Sequence, residues 1–406
     1  MEVLVYRYGS ICEPDILSCF QKMGLNVVTE ETELSNKNIL PSERVKNLSH
    51  LFDTHTFTFV FSINFYPSIS DICEIYRIPY VCWSVDCPVM ELFQKSVQNA
   101  CNRIFCFDRA QYEAIASYNT AGIFYLPLAT NVDRWDRVIS AISAADRAKY
   151  AADISFVGSL YTEKNPYMTK DSKGVTFKEK LPDDVQGFID GLCAAQEQLY
   201  GFNLLQQALT ETVITALKQE MAPLFYEEST TIYNTDAYVA ANQIVGMHVS
   251  CLERIHLLQA LGRQFDVDLY TFSDLSEFEG IGGIHHKGGA KTLTEMPKIF
   301  HLSKINLNIT MRPIQTGLSL RIWDVLGCGG FLMCNYQPEL FEYFTPGVEL
   351  ETFASCDELL DKCAYYLTHD SERQSIARAG YEKVKAMHTY DHRIADMIRT
   401  VYGTMQ

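Results

Sequence analysis

An α/β protein of two domains is the fold the sequence predicts, and three observations carry that expectation. The chain has 406 residues, more than one typical hydrophobic core accommodates. Runs of β-forming residues alternate with helical patterns in both halves, the rhythm of βαβ units and a mostly parallel sheet. A Gly-punctuated stretch from Thr316 to Cys334 reads as loop, short helix and buried strand, the unit from which such sheets are built.

In chain order, Val3–Tyr6 is a strand, Pro14–Met23 a helix and Leu25–Val28 a second strand. Phe57–Phe61 is rich in β-formers and is expected to be buried. Ser68–Tyr76 is helical, Pro79–Trp83 a strand, Glu91–Ala100 a helix and Arg103–Phe107 a strand. Gln111–Tyr118 is a helix, and Ile123–Leu126 closes the first set. Ligands of such sheets lie outside the carboxyl ends of the strands. The loops Asn64–Pro67 and Ser84–Pro88 fall there.

Asp133–Tyr150 is polar, Ala-rich and helical, the expected connection between domains. Asp153–Val157 opens the second α/β domain, with Gly158 and Ser159 turning at its end. From about 183 to 241 strong β runs are lacking, which predicts a helical insertion punctuated by Tyr200, Phe225, Tyr226, Tyr233 and Tyr238. Such aromatics are more often half-buried packing than a sugar platform. Cys251–Phe265 reads as an amphipathic helix and Val267–Thr271 as a strand, with Gly-rich turns around His285–Lys287. Met296–Leu302 is a helix and Ile305–Ile309 a strand. After the Thr316–Cys334 stretch, Ser355 and Glu358 form a capping box ahead of an apolar helix face. Two helices, at about 371–386 and 390–402, end the chain.

Composition narrows the function classes. An apolar fraction of 47% and a charged fraction of 21% are ordinary for a globular protein. No apolar run is long enough to span a bilayer. The start, Met1–Arg7, lacks the basic, then apolar pattern of a signal peptide and reads as a strand. The net charge of −16 argues against a general nucleic-acid binder and against an electrostatic grip on anionic lipid. The 13 cysteines are scattered, with no Cys-x-x-Cys. They read as buried or free thiols of a reducing, cytoplasmic compartment, not as a disulfide framework or zinc site.

Within Thr316–Cys334, Leu320, Trp323 and Leu326 recur at helical spacing. Gly327, Gly329 and Gly330 end the helix, and Phe331–Cys334 is a strand. The turn at Gly317 leaves backbone N–H groups at a helix start, which favours an anion. The same pattern also suits an ordinary loop-helix-strand unit of an α/β core.

Gly317–Arg321, the acid at 324 and Gly327–Gly330 resemble the donor-binding segment of two-domain glycosyltransferases, most closely the bacterial CgeB-like family. The resemblance continues through Tyr365–Leu367, Glu372–Arg373, Ile376–Gly380 and His388–Arg393, and reaches back to Asp153–Gly158 and Trp83–Pro88. It implies a GT-B type architecture, two Rossmann-like domains facing across a cleft. An N-terminal domain (1–135) would hold the acceptor and a linker would span 136–150. The donor domain would cover 151–390 with its helical insertion. A last helix (391–406) would cross back to the first domain. The implied activity moves a sugar from a nucleoside-diphosphate sugar to a glycan, protein or small-molecule acceptor, with no cofactor beyond that co-substrate.

Such transfer needs cations or N–H dipoles for the leaving diphosphate, an acceptor for the ribose hydroxyls and a base for the attacking group. The backbone of Gly317, Leu318 and Ser319 is the leading diphosphate cradle, with Arg321 and Arg312 as charge partners. The resemblance places Asp324 where the superfamily binds ribose, with Asp in place of the usual Glu. Many retaining relatives carry a second Glu eight positions earlier, where this chain has Thr316, so anomeric stereochemistry stays open. Gly158 and Lys164 resemble a diphosphate-binding turn, although Ser159 stands where an arginine is common. His286 and Lys287 are candidates for the base or phosphate. Asp86, directly after an apolar strand, is the candidate catalytic base; it equally suits the N-cap of a helix at 89–100. His388 and His392 lack a third ligand at metal spacing, so no metal is expected, and Tyr390–Arg393 is read as an anchor for the last helix. A nucleotide-sugar epimerase of the same fold, and a non-catalytic relative that binds a glycan or partner, are the competing readings.

Overall fold

The computed structural model describes residues 1–404 and divides the chain into two units, residues 1–129 with 227–234 and the C-terminal segment from 388, and residues 130–226 with 235–387. The strands of the first unit are β1 (Glu2–Tyr6), β2 (Asn26–Glu30), β3 (Phe59–Ile63), β4 (Tyr80–Ser84), β5 (Asn102–Cys106) and β6 (Ile123–Tyr125). They form one parallel sheet in the order β2-β1-β3-β4-β5-β6. Every residue of β3 and β4 is buried, as expected of strands covered on both faces. The principal helices before the second unit are α1 (Glu13–Lys22), α2 (Pro41–Thr54), α3 (Pro67–Tyr76) and α4 (Arg109–Ile115). Proline stands in the first turn of α1, α2 and α3, where its missing N–H costs nothing.

Two features of this unit depart from the sequence reading. The helix expected at 91–100 is a pair of 3-10 turns, Met90–Phe93 and Lys95–Gln98. Its backbone is committed elsewhere: Lys95 N–H donates to Thr230 O (3.0 Å), Ile232 N–H to Phe93 O (2.8 Å), and Asn102 Nδ2 to the carbonyls of Ser96 and Val97 (2.8 and 3.1 Å). These long-range bonds compete with an α-helical ladder. The second departure is α2, which the sequence reading leaves unassigned and which buries Arg44, Leu48 and Phe52.

The strands of the second unit are β7 (Ala152–Val157), β8 (Val267–Tyr270), β9 (Ile284–His286), β10 (Ser303–Asn308), β11 (Leu332–Asn335) and β12 (Glu351–Phe353). Their order is β12-β11-β10-β7-β8-β9, all parallel. In strand sequence this is 3-2-1-4-5-6, the doubly wound order whose switch point lies between β7 and β10. Its principal helices are α5 (Val132–Ser140), α6 (Ala144–Tyr150), α7 (Asp183–Glu197), α8 (Gly246–Gly262), α9 (Met296–Leu302), α10 (Leu320–Gly327), α11 (Cys356–Thr368) and α12 (Asp370–Met387). Residues 136–150, read above as a linker, lie in α5 and α6 within this unit. His285 and His286, expected in a turn, belong to β9, because β8 offers them an open edge to pair with.

Helix α8 corrects the amphipathic reading of Cys251–Phe265. It follows a π-helical segment, Val239–Val245, and buries residues on most of its circumference, His248, Glu253 and Arg254 among them. One side packs on the sheet through Leu258 and Leu261, and α7 covers another.

The last helix, α13 (Tyr390–Gly403), packs on α1 of the first unit with Ile394, Met397 and Val401 fully buried. Asp391 accepts from Cys19 Sγ (3.0 Å) and Lys22 Nζ (2.8 Å). Arg393 donates to the Pro127 carbonyl (3.1 Å) and pairs with His388 Nδ1 (2.7 Å). His392 Nδ1 caps the helix start at Thr389 (2.7 Å), so both histidines of this segment have structural partners. All thirteen cysteines are free thiols, and only Cys101 and Cys356 are partly exposed.

Candidate functional site

In the second unit, sequence order brings the ends of β7 and β10 side by side at the switch point, and Arg254 joins them. Its Nη1 donates to Ser159 O beyond β7, and its Nη2 to Ile309 O beyond β10. The guanidinium lies 4.1 Å above the ring of Tyr161, and only 8% of the residue is exposed. Its Nε has no hydrogen-bond partner. Tyr161 holds a left-handed conformation (φ 64°), with its N–H on Ser159 Oγ (2.7 Å). Gly158 lies in the same turn, its N–H on Tyr270 O (3.0 Å).

Arg321, in the first turn of α10, is the second cation here. It is half-buried, with its guanidinium 5.1 Å over the Phe300 ring and Nη1 3.5 Å from Met296 Sδ. Burial pushes its pKa down, the positive charge of Arg254 pushes the same way, and Asp324 opposes them. Neither Arg254 nor Arg321 forms an ion pair with a carboxylate among the described residues. Two guanidiniums without carboxylate partners, at the carboxyl ends of a parallel sheet, leave positive charge that an anionic ligand would neutralise.

The Gly317–Ser319 turn leads into α10 beside them. Leu318 is buried, and Ser319 Oγ donates to Asn308 Oδ1 (3.3 Å). The loop is pinned from below by Thr310 N–H on Asn335 Oδ1 (2.8 Å) and by Thr316 Oγ1 on Glu339 Oε1 (2.7 Å). The first N–H groups of a helix lack intrahelical acceptors; that of Ile322 turns back to Ser319 O (3.1 Å).

Asp324 is not on an exposed helix face. It is 5% exposed, and its Oδ1 accepts from Thr130 Oγ1 (2.7 Å), which in turn accepts from Trp135 Nε1 (2.7 Å). The close approach needs Gly327, where a Cβ would lie 2.7 Å from Thr130 Cγ2. Asp324 thus anchors α10 to the segment that carries Thr130 and Trp135.

The other expected donor residues lie in varied surroundings. Arg312 makes a two-pronged pair with the buried Glu253 (Nε–Oε2 and Nη2–Oε1, both 2.9 Å) and stacks 4.4 Å over Tyr200. Burial pushes the Glu253 carboxyl up while Arg312 pulls it down. This guanidinium is occupied by the protein itself. Lys164 is exposed in a 3-10 turn, Thr162–Lys164. His286 is exposed, with Nε2 3.2 Å from Thr271 O, and Lys287 pairs with Asp268 (3.2 Å).

In the first unit the switch point lies between β1 and β3, and a second polar group collects there. Asn64, directly beyond β3, adopts a left-handed backbone (φ 59°). Its Nδ2 donates to Asp86 Oδ2 (2.7 Å) and to the Tyr8 hydroxyl (3.2 Å), while its Oδ1 accepts from Val85 N–H (3.0 Å). Asp86 is exposed and caps no helix, since the segment beyond it starts with Val89 at an uncapped 3-10 turn. Burial, then the charge of Asp86, pushes the Tyr8 phenol up.

Arg254, Tyr161 and Tyr8 were not singled out from sequence, and Asn64 was named only as the start of a loop on the ligand side of the sheet. Arg254 lies on a helix face that reads as packing, and its partners are 95 and 55 residues away along the chain. The left-handed Asn64 has a faint signal, since Asn tolerates that conformation after a strand. Among the described residues no cluster of three or more His, Cys, Asp or Glu is placed to hold a metal ion, and no helix is long and apolar enough to cross a membrane.

The profile of a family described as Glycosyl transferase-like matches residues 254–399, beginning at Arg254 and including α10. Among curated proteins nothing matches. Three solved structures resemble the whole chain. Sucrose-phosphate synthase from Thermosynechococcus elongatus is 10% identical, with 99% of each chain covered and a TM-score of 0.55. Anabaena HepE (Alr3699) in complex with UDP-glucose is 10% identical over 99% of this chain and 100% of its own, with a TM-score of 0.53. A glycosyltransferase from Rickettsia africae ESF-5 is 8% identical over 100% of this chain and 98% of its own, with a TM-score of 0.50. At these identities the likeness concerns the fold: two Rossmann-like α/β domains, each on a six-stranded parallel sheet, of the GT-B type.

Proposed function

We propose that this protein is a glycosyltransferase that takes its sugar from a nucleoside-diphosphate donor. The observation that carries the reading is the pair Arg254 and Arg321, desolvated and lacking carboxylate partners at the β7/β10 switch point. A leaving diphosphate supplies the missing negative charge. The start of α10, with Gly317, Leu318 and Ser319, directs N–H dipoles to the same ligand. The match to the Glycosyl transferase-like profile and the UDP-glucose bound by HepE support the class of reaction and donor. In this reading Gly158 shapes the diphosphate turn. Lys164 and His286 lie on exposed loops and edges around it, and Arg312 holds the loop instead of the ligand. Asp324 keeps its proposed contact with the ribose. Asp86, aimed by Asn64, is the proposed base for an acceptor hydroxyl.

Donor binding is proposed to need no divalent ion, because guanidiniums and a helix start neutralise the diphosphate. The resemblance to the CgeB-like family and a cytoplasmic location belong to the same proposal. The test is donor hydrolysis and transfer with a panel of nucleotide sugars, with and without chelator. Turnover of one donor that persists in chelator supports the reading. A protein that neither binds nor turns over any nucleotide sugar, or that needs manganese or magnesium throughout, refutes it. Release of an epimerised nucleotide sugar would favour the epimerase instead.

A further inference from the structure

Phe272 stands out in the second unit. It is 92% exposed, more than any other large apolar side chain among the described residues. Single exposed apolar residues are common on proteins, so exposure alone decides nothing. Its setting is unusual in two respects. It lies just beyond the carboxyl end of β8, the strand next to β7, and its backbone neighbours are fixed. Ser273 Oγ accepts from Leu160 N–H (2.8 Å), Ser273 N–H donates to Thr271 Oγ1 (3.1 Å), and Thr271 and Ser273 are buried. The ring also lies across Gly289: a Cβ there would stand 1.9 Å from Cζ and 2.3 Å from both Cε atoms, that is, over the ring face. A glycine that clears the space beneath an exposed ring gives a flat, supported aromatic surface.

We propose that Phe272 is the platform on which the donor's nucleobase stacks, a deepening that rests on the donor site proposed above. The loops beyond β7 and β8 are joined by Gly158 N–H on Tyr270 O (3.0 Å) and by the Leu160–Ser273 bond. Arg254 grips the same β7 loop at Ser159 O. The ring thus lies beyond the strand next to the one whose loop Arg254 grips. In a nucleoside diphosphate the ribose separates the base from the phosphates, so the two ends of one ligand contact neighbouring loops. Every nucleobase presents a π-face, and stacking on an aromatic side chain contributes enough that removing the ring weakens binding by about ten-fold or more.

The experiment titrates the full chain with inorganic pyrophosphate, with UDP, ADP and GDP, and with the sugar conjugate of whichever nucleotide binds best. In Phe272→Ala, affinity for that nucleoside diphosphate falls by about ten-fold or more, equally with and without its sugar. Pyrophosphate affinity does not change. Phe272→Trp restores binding, and Gly289→Ala, which displaces the ring, repeats the loss. An exposed side chain can be removed without endangering the fold, and the unchanged pyrophosphate titration confirms an intact site. Wild-type nucleotide affinity in Phe272→Ala overturns the platform and leaves the donor site standing. A loss confined to the sugar conjugate also overturns it, since the ring then serves the sugar. A wild-type protein that binds neither pyrophosphate nor any nucleotide overturns both readings.

Discussion

Replacing Arg321 by Met separates ligand binding from folding. The folded protein holds this guanidinium where burial depresses its pKa, so the charged form is disfavoured relative to the unfolded chain. What Arg321 gains in return is small: a stack on Phe300 and a long contact to a thioether. A cation–π contact contributes about 0.5–1 kcal/mol at exposed sites and about 2 kcal/mol when desolvated, and here the cost of burying the charge offsets it. Arg321→Met is therefore expected to leave ligand-free stability unchanged within about 1 kcal/mol. Its effect on a diphosphate should be far larger. One charge-assisted hydrogen bond contributes about 1.5–3 kcal/mol, a roughly ten- to hundred-fold change in Kd. At a ligand concentration of about 100 Kd the wild type gains about 2.7 kcal/mol, and a hundred-fold weaker variant keeps about 0.4 kcal/mol. For a domain of about 150–250 residues 1 kcal/mol moves Tm by roughly 2–4 °C. The ligand-induced shift should then fall from roughly 5–10 °C to roughly 1–2 °C. Thermal melts with and without pyrophosphate or nucleoside diphosphate, checked by calorimetric titration, measure this. A variant that melts normally and keeps the wild-type shift would refute the assignment of Arg321 to the diphosphate.

Three other substitutions probe separate parts of the molecule. Asp324→Asn keeps an acceptor for Thr130 but removes the charge; it should weaken nucleoside diphosphate binding roughly ten- to hundred-fold and pyrophosphate binding much less. Equal nucleotide affinity in calorimetry would leave Asp324 with its anchoring role alone. Asp86→Asn should lower kcat by about 10²- to 10⁴-fold with donor affinity unchanged, measured as steady-state transfer beside donor titration; weakened donor binding would contradict a role as base. His248, buried against Tyr167 and Asn165, has its pKa pushed down to about 4 by desolvation. Between the unfolded value of 6.5 and about 4 the unfolded chain binds a proton that the folded one does not. Stability should therefore fall as pH drops through this window, by up to about 3 kcal/mol. Urea titrations at several pH values, compared with His248→Asn, show whether that loss disappears with the imidazole.

Much of the two sheets was legible because buried parallel strands are written as continuous apolar runs, such as Phe59–Ile63 and Val3–Tyr6. The features that escaped are those fixed by distant partners. Met90–Gln98 has helix-compatible residues, yet its backbone answers to Thr230 and Ile232. His285 and His286 lie among glycines and become a strand only because β8 presents an edge. The site shows the same division. Gly317–Ser319 announces a helix start locally, so the start of α10 with Arg321 in its first turn was readable. Arg254 sits on a helix buried on most sides, and nothing local distinguishes it from a packing residue until Ser159 and Ile309 arrive at its guanidinium.

The division of the chain between its two units also bears on the order in which they are made. The polypeptide passes from one unit to the other four times, at 129/130, 226/227, 234/235 and 387/388. Synthesis delivers the six strands of the first sheet early, but the residues that cover Phe93, Lys95 and the outer side of α1 emerge much later. Until α13 leaves the ribosome, the surface awaiting Ile394, Met397 and Val401 stays uncovered. Residues 1–129 of the nascent chain therefore wait for the segment that starts at 388 before this surface closes. A premature stop just before α13 would spare every candidate donor residue and still strand a half-finished domain with an apolar face exposed to chaperones and proteases.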